Sequence, residues 1–417
     1  MPSPTADNIL QQVQTYQMSN LAYLQNLNCF IATANTRFKD FDKIEANLGS
    51  TVTFDLPPRF VTANSLVATF QPAAQRVQSL SVNNAYNTSY VFSAEQFIFN
   101  VRDYMEKFGK AATVELGAQI EANVAMNCVT GPFRFYGNGV TPINSFQQLA
   151  QALAMFRNFG AATSEAKGYI ADTVVPGIIN SGLQQFAMDR NNEIAHSWEL
   201  GEFSRCDWYQ SNLLPIHIAG SEGVFGTTLT VVSTTLNANN QVTAITFSGT
   251  HAASDANSVL QYDKFQFNDG VAGLPNLRYL TFTGHQVSAN PVQFMAIANA
   301  ASTAGSDVTV SIYPPLQAAV GANQNLNTQI VAGMTVSVLP SHRAGMITAG
   351  DPLFLGMPRL PEEVPFPTAS KTDPDTGVSM RMYYGSKFGE NQRGMIHDVI
   401  WGSTLVPEYS MGLIFPM

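Results

Sequence analysis

Along the 417 residues the spacing of apolar positions changes several times, and each change predicts a different element. Between 8 and 36, Ile9, Val13, Tyr16, Leu21 and Leu24 stand in a Gln- and Asn-rich background. That predicts a weak amphipathic helix or, equally, a terminal arm that orders against another surface. From 50 to 92 the pattern becomes strand-like: Thr51-Val52-Thr53-Phe54-Asp55-Leu56 alternates, Pro57-Pro58 interrupts, and Leu66-Val67-Ala68-Thr69-Phe70 resumes. Val77, Leu80, Val82 and Tyr90-Val91-Phe92 complete a long hairpin. Its alternation is thin, so it lacks a core of its own and needs a partner surface.

Helical spacing dominates 93–128. Val101, Met105, Phe108, Ala112, Leu116, Ile120, Val124 and Cys128 recur at steps of three and four. Ser93 is a candidate N-cap, with Gln96 at capping-box distance. At about 1.5 Å per residue the helix is ~50 Å long, and Gly131-Pro132 stops it. Ile143, Phe146, Leu149, Leu153, Phe156 and Phe159 predict a second helix over 143–160.

Residues 213–316 read differently again. Thr227–Val232 and Gln241–Phe247 flank the turn-like Asn237-Ala238-Asn239-Asn240, and strands follow at 259–267, 277–287, 292–298 and 307–313. Short strands at near-even spacing predict a small antiparallel barrel or sandwich, expected to fold by itself. Pro314-Pro315 marks its expected exit, and Met334–Leu339 is a further strand candidate. The chain then ends on two β-type runs joined by a polar stretch, Gly377–Gly385 and Arg393–Gly402, and a closing run, Pro407–Ile414.

Composition sharpens this outline. Hydrophobic residues are 45% of the chain, ample for packed cores, whereas charged residues are only 12%, about half the ~25% usual for soluble proteins. Either neighbouring subunits cover much of the surface, since interface cores are depleted in charge, or the chain is an Asn/Gln/Ser/Thr-rich secreted protein. The net charge of −9 argues against a dedicated nucleic-acid binder, which usually shows a basic face. Cys29, Cys128 and Cys206 are scattered and odd in number, which predicts free thiols rather than a disulfide framework or zinc site. The start of the chain shows no signal-peptide pattern, and no run approaches the ~18 apolar residues of a membrane span.

Catalytic and metal-binding patterns are weak. The six histidines contain no H-E-x-x-H and no i, i+4 pair. His397-Asp398 looks like part of a triad, but adjacent strand residues point to opposite faces. Asp373-Pro374-Asp375-Thr376-Gly377 has its glycine in the wrong place for a calcium loop and reads as a turn. Glu362-Glu363 sits in a Pro-rich stretch, where solvation or pairing with an arginine is the ordinary fate.

The three C-terminal runs resemble the C-terminal sheet of tailed-phage major capsid proteins. The order of arm, hairpin, long helix, α/β region, all-β segment and β-rich return resembles the coat proteins of short-tailed phages that carry an inserted β-barrel. The resemblance covers about residue 45 to 417. It implies an α+β fold of the Hong-Kong-97 type: an N-terminal arm (1–49), an extended loop (50–92), a spine helix and peripheral domain (93–142), and the first part of an axial domain (143–212). A β-barrel insertion domain (213–316) and an axial and peripheral return with the C-terminal strands (317–417) complete it. The implied role is structural, with no catalysis and no cofactor: a shell subunit around a double-stranded DNA genome, assembled in the bacterial cytoplasm. Implied partners are other copies in hexamers and pentamers, a separate scaffolding protein, a portal protein at one vertex, DNA held non-specifically and, where present, a decoration protein; no membrane is involved. Some members cross-link through a lysine of the extended loop, but residues 50–92 hold only Arg59 and Arg76 as basic residues, so a shell without cross-links is expected. Those arginines are expected to bridge to an adjacent subunit, with Glu362 and Glu363 as candidate acids. Two other readings stay open: a tail-tube or tail-fibre subunit, against which the long helix argues, and a carbohydrate-active enzyme, which would need a carboxylate pair beside exposed tryptophan.

Overall fold

The computed structural model describes residues 29–36, 51–60, 62, 75–160, 165–180, 201–224, 226–250, 254–281, 284–362, 368–372, 378–386 and 392–417. The chain divides into two compact units. One gathers residues 1–55, 77–127 and 351–405; the other gathers 56–76, 128–350 and 406–417.

The first unit is built on the long strand Gln392–Leu405. It pairs with Asn84–Ser93 over ten residues, with Ser379–Ser386, and with Leu353–Gly356, while Thr368–Thr372 extends the sheet beyond Ser379–Ser386. All of these pairings are antiparallel. Along the strand Met395, His397, Val399 and Trp401 are buried, and Ile396 and Ile400 are not, so the period of two decides what enters the core. The approach of Gly402 to Ser81 is close: a Cβ there would lie 2.0 Å from the Ser81 carbonyl oxygen, so only glycine fits.

The helix expected over 93–128 spans Ala94–Ala125, followed by a short turn of helix at Asn127–Thr130. Its stripe is buried from Ala112 through Leu116, Ile120 and Val124 to Cys128, whereas Phe108 is 45% exposed. Burying leucine, isoleucine and valine contributes about 1.5–3 kcal/mol each. Glu121 on this helix is buried and accepts the backbone N–H groups of Phe30 (2.7 Å) and Ile31 (3.1 Å) at the start of the helix Cys29–Thr33. Burial outweighs those hydrogen bonds and raises its carboxyl above the ordinary value.

The expected hairpin is shorter than its pattern. Thr51–Leu56 pairs with Arg76–Ser81 as an isolated two-stranded ribbon, but Asn84–Ser93 leaves it for Gln392–Leu405. The cause is partner supply: the long strand offers a ten-residue ladder and a ring contact of Tyr86 on Trp401 at 5.9 Å. The tip strand proposed at 66–70 lies outside the described residues.

In the second unit a closed six-stranded barrel runs Val242–Ser248, Asp307–Leu316, Gln293–Ala296, Lys264–Phe267, Thr335–Val338, Thr228–Leu236 and back to Val242–Ser248. Alternate residues fill it: Leu229, Val231, Ile245, Phe247, Phe265, Phe267, Phe294, Val308, Val310, Ile312, Val336 and Val338 are buried. The rings of Phe265 and Phe294 stack at 5.0 Å. Two expectations are corrected. The barrel does not end at Pro314-Pro315: its strand continues to Leu316, because the prolines sit where Val242 pairs with Leu316 but Ala244 with Ser311, an irregularity that needs no ladder donor. Thr335–Val338, inside the Met334–Leu339 candidate, closes the barrel, so the barrel reaches beyond residue 316. The single barrel strand expected at 277–287 is instead broken: Arg278–Leu280 pairs with Val287–Pro291 in a separate two-stranded hairpin.

The same unit holds a seven-stranded mixed sheet in the order Phe135–Tyr136, Ser410–Phe415, His342–Ala349, Ala166–Ala171, Cys206–Ser211, Gly201–Phe203, with Ile216–His217 also on His342–Ala349. The second helix spans Phe146–Asn158; the Ser145 hydroxyl caps it by accepting the Gln148 N–H, and Leu149, Leu153 and Phe156 are buried.

Candidate subunit-interface site

Arg59 and Arg76, singled out as the only basic residues of the hairpin, are brought together by a carboxylate of their own chain. Both guanidiniums bind Glu408 Oε1, Arg59 at 2.8 Å and Arg76 in direct contact. Glu408 is placed by the short 3₁₀ turn Pro407–Tyr409 that leads into Ser410–Phe415, with Pro407 at the first position of the turn. Arg76 also donates to the Pro57 carbonyl at 3.5 Å. A third guanidinium joins from behind: Arg134 donates to the backbone carbonyl of Glu408.

Arg134 is fully buried and lies over the rings of Phe159 (4.4 Å) and Phe133 (5.1 Å). Burial lowers its guanidinium to about 10, against the pull of the tyrosine and glutamate charges around it. Burial also lowers Arg59, with Glu408 opposing that shift. The side chains of Arg59, Arg76 and Glu408 remain 19%, 24% and 17% exposed, so the cluster is half-buried. Three guanidiniums converge on one glutamate, two on its carboxylate and one on its backbone carbonyl. Glu408 was missed in the sequence because it was read only as part of a strand run; it is the sole acid after Asp398.

The acids paired with these arginines on sequence grounds lie elsewhere. Glu362 bonds Arg359 at 3.2 Å and accepts the Ser370 N–H at 3.1 Å, within the first unit. Glu363 lies outside the described residues.

The other candidate chemistry resolves into structure. His397 and Asp398 point to opposite faces: Asp398 binds Arg381 at 2.5 Å, while His397 is buried against the Tyr90 ring at 5.9 Å and held down at about 4 by burial. Cys29, Cys128 and Cys206 are free thiols, and burial first pushes Cys206 up to about 12. Among the described residues no three His, Cys, Asp or Glu side chains are grouped to hold a metal ion, and no helix is long and apolar enough to cross a membrane. The turn-like 373–377 lies outside the described residues.

No family model and no curated protein matches the chain. Solved structures similar to this chain include one from Mycobacterium phage Che8, at 8% identity and a TM-score of 0.47, covering 93% of this chain and 90% of that one. The capsid of Ralstonia phage GP4 matches at 8% identity and a TM-score of 0.42, covering 88% and 84%. The virus-like particle from Pyrococcus furiosus matches at 6% identity and 0.41, covering 97% and 98%.

Proposed function

We propose that this chain is a major capsid protein, a subunit that assembles with copies of itself into the icosahedral shell around the double-stranded DNA of a tailed phage. The observation that carries the reading is the ribbon Thr51–Leu56/Arg76–Ser81. Two strands alone are marginal in water, and this pair leaves one face bare: Thr51, Thr53, Asp55, Val77, Ser79 and Ser81 are exposed, Val77 at 59%, while Phe54 and Leu80 on the other face are covered by their own chain. A bare face on a two-stranded element is surface left for another copy to cover. The 12% charge content supports the same reading, since surface that copies cover needs few charges.

The finer reading follows the sequence resemblance. The fold is of the Hong-Kong-97 type, the closed barrel is the insertion domain of the short-tailed-phage coat family, and the shell forms without covalent cross-links with the help of a separate scaffolding protein. Portal, decoration protein and non-specifically held DNA are its further partners, and assembly takes place in the host cytoplasm. Arg59 and Arg76, with Glu408 between them, present the edge that meets the acidic Glu362-Glu363 stretch of an adjacent copy.

Negative-stain electron microscopy of the purified protein, alone and with its scaffolding partner, tests this. Closed, uniform shells are expected, and a denaturing gel of those particles should show only the monomer band. Tubes or fibres would favour a tail subunit; monomers under both conditions would overturn the proposal.

A further inference from the structure

A buried cation with no hydrogen-bond partner among the described residues sits at the foot of the barrel. Lys264 opens the strand Lys264–Phe267; Phe265 and Phe267 fill the core, so Lys264 turns outward, towards the strand Ser410–Phe415. It is nonetheless completely buried. Gly412 makes the room: a Cβ there would lie 3.0 Å from Nζ. Among the described residues Nζ has no hydrogen-bond partner. Burial lowers the amine to about 8, and the Cys128 thiol is the group that opposes the shift.

His342, the first residue of His342–Ala349, is the second unusual group. Its Nδ1 lies 2.7 Å from the Pro340 carbonyl. A carbonyl only accepts, so Nδ1 carries the proton and Nε2 is a bare acceptor. Nε2 is buried with no partner among the described residues. The ring is 5.4 Å from His217, and His217 Nε2 is 2.8 Å from Asp263 Oδ1. Asp263 also accepts the Leu260 N–H (2.7 Å) and the Gly220 N–H (3.1 Å). Burial first, and the Lys264 charge second, hold the His342 imidazole down at about 3. The titratable groups around this pair are therefore Cys128, His217 and Asp263; Arg343 alternates to the other face of the strand. Two backbone donors tie the segment in place: Leu339 N–H to the Lys264 carbonyl and Ala219 N–H to the Ser341 hydroxyl, each at 3.0 Å.

We propose that residues 339–344 and 215–220 form an acid-released latch at the foot of the barrel. Protonation of His342 turns the acceptor beside Lys264 into a second cation, and the latch opens while the barrel keeps its own ladder. Opening returns His342 to its ordinary value near 6.5. Between that value and about 3 the open form holds one more proton than the closed form. The opening equilibrium therefore rises about ten-fold for each pH unit of acidification. Lys264 acts in the same direction in an alkaline window, between about 10.5 and about 8.

Hydrogen exchange of the full chain from pH 7.5 to 4.5, corrected for intrinsic rates, tests the latch. The amides of Leu339, Ala219 and Ala344, the last bonded to Pro215, should open about ten-fold more per pH unit below 6.5. The barrel amide of Phe267, bonded to Val292, should not follow. H342Q should abolish the slope. Parallel acceleration at Phe267, or a wild-type slope in H342Q, would overturn the proposal. Should H342Q fail to fold, K264M decides: it removes the buried cation and should slow exchange at the three latch amides at pH 7.5, and unchanged or faster exchange there would sink the idea.

Discussion

The barrel and the ribbon are made of the same kind of sequence, alternating short runs with valine, threonine and phenylalanine, yet they reach opposite ends of self-sufficiency. In the barrel every strand has two neighbours, and the inward residues meet across a common centre, where Phe247, Phe265 and Phe294 stack with nearly parallel rings. In the ribbon each strand has one partner, and alternation leads nowhere: the better-buried positions are still half-exposed, apart from Leu80. Closure, not propensity, separates them. A closed sheet removes its edges and creates an inside, whereas a two-stranded ribbon has two edges and no inside. The difference teaches that hydrophobic alternation specifies a strand but only topology specifies who supplies its core.

Breaking the closure should have the largest effect. A fragment of residues 213–316 lacks Thr335–Val338 and leaves Lys264–Phe267 and Thr228–Leu236 without their shared neighbour. It should be unfolded or aggregated, while residues 213–339 should give a cooperative melt by circular dichroism. Equal behaviour of the two fragments would mean that closure is not what stabilises the barrel. Within the intact chain, F294A should cost about 3–5 kcal/mol in urea denaturation, because its ring is fully buried and touches three other phenylalanines.

The ion cluster at Arg76 comes next. Glu408 receives Arg59 and Arg76 on a single oxygen in a half-buried site. E408A removes the carboxylate from between two guanidiniums and should cost about 2–4 kcal/mol. A double-mutant cycle with R76A should recover a coupling of about 1 kcal/mol or more; strict additivity would show that the ribbon base is held by something else.

Much of this architecture could be read before the structure. The stripe from Ala112 to Cys128 found its helix, Phe146, Leu149, Leu153 and Phe156 found the second, and the turn residues at 237–240 located the first barrel hairpin. What escaped was non-local. Nothing near Asn84–Ser93 announces that its ladder lies some three hundred positions away on Gln392–Leu405, and a four-residue run such as Thr335–Val338 shows no sign of the barrel it closes. The site was legible in half: Arg59 and Arg76 stand out by their charge, but Glu408 is an ordinary acid in an apolar run until folding places it between them.

Asn84–Ser93 sharpens the comparison because it is as poor in apolar residues as the ribbon it follows, yet it lies against a covered sheet. His397 reports on that cover. Its ring is buried beside Tyr90, and burial depresses it to about 4 from an ordinary value near 6.5. A base depressed by folding adds its full share of stability above the unfolded value and loses it as pH falls through the window from 6.5 to 4. The loss should approach ~3 kcal/mol at one proton per group. H397F should flatten that part of the stability curve. An unchanged acid slope would place the titration elsewhere, His342 being the other deeply depressed histidine.

The smallest effect on the folded chain should come from the ribbon itself, and that is its diagnostic value. Val77 and Phe60 are 59% and 57% exposed, so V77S and F60S remove little that the single chain buries. Each should shift the urea midpoint by no more than about 0.5 kcal/mol. In assembly the same side chains would be covered, and losing a few apolar contacts per subunit recurs in every copy of a closed shell. Assembly yield, followed by light scattering, should therefore fall several-fold while monomer stability stays level. Matching losses in both measurements would mean that the ribbon is packed on its own chain after all, and would erase the distinction between it and the barrel.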